Sequence, residues 1–248
     1  MAKLTFFSTP KGLSKLFLQF FIFLKKPTYK TENLATKAKI INLLWFWIFY
    51  VILLTPYLAV YVFLHTKDIL PEHIVFQKLE GNNALLFASA VILAPLFEEL
   101  FFRFPLNSPK WSLGIIVIGI FSYFLPKLLL LFLPKINQEL LSLFILSISS
   151  MVFAVYEPSR KMKLGWKKHF KWIFYVVAFL FGMVHLINFS LNEITWQWYF
   201  LLPFLVIPQL VMGSFLGYIR LRYGLLFSII FHAFHNLIFI LPNLLMPE

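Results

Sequence analysis

Cysteine is absent from all 248 residues, which excludes disulfides, thiolate catalysis and cysteine-ligated metal. Charge is scarce as well: 13% of residues are charged, against about 25% in an ordinary soluble domain. Acidic residues are the rarest class, 10 against 22 lysines and arginines, so a carboxylate inside an apolar stretch stands out. Internal repeats are missing too, and with them the symmetry that transporter folds commonly show. There is no H-E-x-x-H segment to supply closely spaced zinc ligands.

The remainder is mostly apolar, 60% of the chain, in stretches that approach or exceed the roughly 20 residues needed to cross a hydrocarbon core. The sequence therefore predicts an all-α integral membrane protein, a bundle of about seven transmembrane helices at 41–64, 84–106, 111–133, 139–156, 172–190, 196–218 and 224–245. Pro126 and Lys127 interrupt the third. The net charge of +12 is distributed unevenly. Eight lysines fall in the first 39 residues, and Arg160, Lys161, Lys163, Lys167, Lys168 and Lys171 crowd what reads as a single loop. Cytoplasmic segments carry such an excess, so the N-terminus is expected inside, the C-terminus outside, in the cell membrane. No basic stripe interleaved with aromatics suggests a nucleic-acid partner. The expected partners are the lipid bilayer and a membrane-associated protein or peptide substrate.

Residues 1–40 form a basic N-terminal segment ahead of the bundle, 41–248. Its apolar run Leu16–Leu24 is too short to span and has no small-residue cleavage site. Leu13, Leu16, Phe17, Phe20 and Leu24 share a helical face opposite Lys11, Lys15 and Gln19, predicting a short helix on the inner membrane surface.

Three polar sets sit inside the apolar stretches. Glu98, Glu99 and Arg103 interrupt Ala84–Leu106, at an insertion cost of about 2.5–3.5 kcal/mol per charge. Adjacent helical residues point about 100° apart, so Glu99 can pair with Arg103 four residues on while Glu98 faces elsewhere. Two readings stay open: an ion-pair network that staples helices together, or a structural Glu99–Arg103 pair beside a carboxylate, Glu98, free to act as a general base. His185 follows Phe181 by one turn, and alone is most simply a packing histidine. His232 and Asn236 share a face of the last span, with His235 beside them. They suit metal ligation, oxyanion stabilisation or a polar packing seam. At 1.5 Å per residue, Glu98 and His232 lie about 12 Å from the inner ends of their spans and His185 about 20 Å, near enough for one cavity.

Taken together, Glu98-Glu99-x-x-x-Arg103, Phe181-x-x-x-His185 and His232-x-x-x-Asn236 resemble the three ordered motifs of the CAAX-processing and bacteriocin-immunity family of intramembrane proteases, related to type II CAAX prenyl endopeptidases. The motif region occupies 84–245. The resemblance implies that Glu98 and His185 activate water, that His232 and Asn236 stabilise the oxyanion, and that Arg103 holds Glu99. A second version of that chemistry makes His185 and His232 ligands of Zn²⁺. The chain departs from the family where Phe104 replaces a glycine that often follows the arginine, and where extra crossings at about 111–156 separate the first two motifs. The implied function is endoproteolysis within the membrane. Its rivals are a non-catalytic immunity or scaffold protein that keeps the motifs as structure, and a proton-coupled transporter.

Overall fold

The computed structural model describes residues 10–71, 83–110, 141, 144–149, 151, 156–190 and 196–245. Among them, five helical segments are long and apolar enough to cross a membrane: Thr36–His65, Asn83–Asn107, Arg160–Asn188, Tyr199–Tyr223 and Leu225–Pro242. The chain is thus an all-α, multi-pass membrane protein. The expected crossing at 111–133 and much of the one at 139–156 lie outside the described residues. The chain divides into two compact units, Met1–Arg103 with Lys171–Glu248, and Phe104–Phe170.

The first unit begins with α1, Pro10–Lys25. Leu16 and Phe20, expected on the inward face, are buried together with Phe23. Phe20 stacks on Phe215 at 4.3 Å and Phe23 meets Phe174 edge-on at 5.1 Å. Leu18, Phe21 and Ile22 remain exposed on the other side, so α1 is apolar on two faces over this stretch. The connector to α2, Thr36–His65, is clamped by Arg222, whose Nη1 donates to the carbonyls of Thr28 and Lys30 at 3.0 and 2.7 Å.

Helix α3, Asn83–Asn107, is not uniform. Ala88–Leu93 and Glu99–Arg103 are wound as wider π-helical turns, a distortion frequent at functional sites. Proline accounts for part of the first. The Ala94 N–H bonds back to Ser89, and Pro95 has no N–H to offer, which strips Ala90's carbonyl of a backbone donor.

Helix α4 runs over Arg160–Val184 and tightens into a 3₁₀ turn, His185–Asn188. This corrects the sequence reading of a basic loop: the six cations stand on the first three turns of a helix. Ser159 caps it by accepting Met162's N–H at 3.3 Å, and no proline lies between Arg160 and Lys171, where Gly165 costs only about 1 kcal/mol. Within the second unit, Lys110 and Lys163 flank Glu157 at 3.3 and 3.7 Å.

Short turns over Trp196–Leu201 and Leu202–Leu205 lead into α5, Ile207–Tyr223. Gly224, with φ at 104°, makes the reversal into α6, Leu225–Leu245; that backbone conformation suits glycine. The α4–α5 contact depends on Gly217, where an added Cβ would lie 2.5 Å from Phe174. Small residues let membrane helices approach this closely. Phe174, Ala178 and Phe181 consequently form one buried face of α4, and His185 lies on its extension.

Candidate active site

All three polar sets lie in the first unit and converge on α3. Glu99 is fully buried, and each of its oxygens is engaged. Oε1 lies 3.4 Å from Arg103 Nη1 and 3.1 Å from His232 Nδ1. Oε2 accepts a hydrogen bond from Ser228, whose Oγ lies 3.2 Å from Leu216's carbonyl. Arg103 is buried as well, its guanidinium 3.7 Å over the Phe181 ring. Phe181 also meets the rings of His185 and His232 edge-on, at 4.8 and 5.8 Å. It thus walls the arginine off from the two imidazoles while supporting all three. Arg220 Nε donates to Arg103's carbonyl at 3.1 Å, tying the end of this π turn to α5.

Glu98 occupies a different environment. Its side chain keeps 27% of its surface open, against 0% for Glu99. Oε2 lies 3.7 Å from His185 Nε2 and 3.8 Å from His232 Nε2, with no hydrogen-bond partner among the described residues. The sequence expectation that Glu98 and Glu99 diverge therefore holds in geometry. The pair Glu99–Arg103 is larger than expected, because His232 and Ser228 belong to the same network.

The imidazole orientations follow from their other nitrogens. His185 Nδ1 lies 2.6 Å from Phe181's carbonyl, an acceptor, so Nδ1 carries the proton. His232 Nδ1 faces the Glu99 carboxylate and carries a proton for the same reason. Each neutral ring then presents an Nε2 lone pair to Glu98. Three acceptors gathered at one point require a donor or a cation among them: a water, a shared proton or a metal ion.

Two imidazoles and one carboxylate match the donor chemistry of a catalytic zinc site, and bonded Nδ1 atoms are its usual outer support. As spaced here, however, no group of three or more His, Cys, Asp or Glu among the described residues is arranged to hold a metal.

Asn236 does not touch this cluster through the bond it makes. Its Nδ2 donates to Ala90's carbonyl at 2.8 Å, the group that Pro95 leaves without a backbone donor, and among the described residues its second N–H has no acceptor. His235, expected to flank the same face, instead packs on Tyr50 at 5.1 Å and Phe239 at 4.5 Å. Sequence reasoning missed Ser228. Its signal was available, since it stands one turn before His232 on the face that meets α3.

The family model for Type II CAAX prenyl endopeptidase Rce1-like proteins matches residues 80–238. Neither a curated protein nor a solved structure matches the chain. The matched segment runs through all three polar sets and over more than half of the sequence, and on that ground the chain belongs to the Type II CAAX prenyl endopeptidase Rce1-like family.

Proposed function

We propose that this chain is an intramembrane endopeptidase that hydrolyses a peptide bond in a membrane-associated protein or peptide near the cytoplasmic face. The observation that carries the reading is the partly open Glu98 side chain, whose sealed Oε2 lies within 3.8 Å of both His185 Nε2 and His232 Nε2. A water there can donate its two hydrogens to Glu98 and His185, since two hydrogen bonds of about 2.8 Å span such a gap. Glu98 takes a proton as the water oxygen bonds to the scissile carbonyl carbon. The carbonyl π electrons move to its oxygen, giving a tetrahedral oxyanion. With the cluster's shared proton on its Nε2 and Glu99 steadying its ring, His232 donates from Nε2 to that oxyanion, and Asn236 contributes its second N–H. The proton held by Glu98 then passes to the leaving nitrogen as the C–N bond breaks. His185 orients the water and is held by Phe181's carbonyl.

Zinc bound by Glu98, His185 and His232 would supply Lewis acidity to the same water. With purified protein and a membrane-anchored peptide, Glu98→Gln and His185→Ala are each expected to slow cleavage by about 10²–10³-fold or more. Full cleavage by Glu98→Gln would end the assignment. A zinc chelator separates the two versions: the metal-free mechanism keeps its rate, whereas the zinc mechanism loses it and regains it when zinc is restored. A scaffold protein would show neither cleavage nor any dependence on Glu98 beyond its abundance.

A further inference from the structure

The side of α6 that packs on α2 and α5 carries an unexplained polar feature. Four sealed polar atoms lie on the helices that pack there: Asn42 Oδ1 and Trp47 Nε1 on α2, Gln209 Oε1 on α5 and His235 Nδ1 on α6. None has a hydrogen-bond partner among the described residues, and the Asn42 side chain is wholly buried.

Their heights fall in order. The near ends of the three helices are fixed together where Tyr223 accepts from Asn42 Nδ2 through its hydroxyl at 3.0 Å and from Lys39 through its carbonyl at 3.5 Å. At 1.5 Å per residue from that end, Asn42 stands at about 9 Å, His235 and Trp47 at about 15 and 16 Å, and Gln209 at about 21 Å. Tyr50 links the upper members: its ring packs on His235 and its hydroxyl donates to Pro208, beside Gln209, at 3.3 Å.

Inside a membrane bundle, bulk water cannot satisfy such groups, and leaving them bare is costly. The set mixes acceptors (Asn42 Oδ1, Gln209 Oε1), a donor (Trp47 Nε1–H) and an imidazole nitrogen that serves either way. No ion complements all of these and no hydroxyl among the described residues bonds them, whereas water both donates and accepts. Buried waters in proteins typically sit among such otherwise unsatisfied groups.

We propose that the interface of α2, α5 and α6 is a water-binding site, holding ordered molecules on Asn42, Trp47, Gln209 and His235. It stands apart from the proteolytic reading, although His235 lies only three residues from His232. If hydrolysis occurs at Glu98, this seam is a store of solvent bordering the helix that carries His232.

Radiolytic hydroxyl labelling of the full-length protein in lipid nanodiscs, read by mass spectrometry, tests the site directly, because bound water generates the radical in place. Trp47 and His235 are expected to be modified several-fold faster than Phe17 and Phe49, which are likewise half-buried but have no polar atom. Labelling no faster than those phenylalanines overturns the proposal. Substitution gives an independent sign. Gln209→Met and His235→Phe each remove a water bond if the seam is wet, lowering the thermal midpoint by about 2–4 °C. An unchanged or raised midpoint would mean that bare polar groups had been removed from a dry interface, and contradicts the site.

Discussion

Glu98 and Glu99 are chemically identical neighbours on one helix, yet the bundle gives them opposite surroundings. Glu99 is sealed and bound by Arg103, His232 and Ser228. Glu98 is partly open and, among the described residues, pairs only with the Nε2 atoms of two histidines, beyond hydrogen-bond length. The sealed side shows what holds the site together; the open side shows where chemistry can take place. His232 joins them, with one nitrogen on each carboxylate, so the structural half sets the tautomer that the reactive half uses.

That contrast is broken most severely from the sealed side. Glu99→Gln leaves Arg103 buried without its counter-charge, and losing one partner of a buried pair costs about 3–5 kcal/mol. Thermal unfolding in detergent should show a large fall in midpoint, and the double variant Glu99→Gln/Arg103→Leu should recover part of it. If Glu99→Gln leaves the midpoint unchanged, the sealed network is not structural. Ser228→Ala removes one hydrogen bond to a charged group, about 1.5–3 kcal/mol, and should loosen His232 through Glu99. Its cleavage rate should fall while its dependence on substrate concentration changes little. Gly217→Leu forces a side chain against Phe174 and misaligns the α4 face that carries Phe181 and His185, at about 1–3 kcal/mol; hydrogen exchange along α4 would detect it.

The smallest effect lies outside the membrane. Burial raises the Glu32 carboxyl above its usual range, more than the nearby cations Arg222 and Lys30 lower it. A raised acid favours the fold when protonated, so its contribution is present at low pH and is lost as pH rises through the elevated value. Glu32→Gln should flatten that slight decline in midpoint across the acidic range. A wild-type midpoint that rises with pH there, and flattens in the variant, would reverse the assignment.

Much of this arrangement was legible in the sequence because charge in lipid is costly enough to mark itself. Glu98, Glu99, Arg103, His185 and His232 could each be found by that criterion, and the i,i+4 spacing separated the two carboxylates. What stayed hidden depended on backbone detail. The link from Asn236 to Ala90 exists because Ala94 bonds Ser89 and Pro95 cannot donate, a consequence of π winding that periodicity does not reveal. Ser228 is small and uncharged, so hydropathy passes over it. The depth of His185 was measured from Trp172, where apolarity begins, although the helix begins at Arg160; a change in composition is not a helix end.

The most direct measurement pairs two variants in one preparation: cleavage of a membrane-anchored peptide and thermal midpoint, for Glu98→Gln and Glu99→Gln. Cleavage by Glu98→Gln should fall by about 10²-fold or more with its midpoint nearly unchanged, while Glu99→Gln loses stability first. Cleavage that survives in Glu98→Gln, or a midpoint that falls as far as in Glu99→Gln, would contradict the division of labour between the two carboxylates.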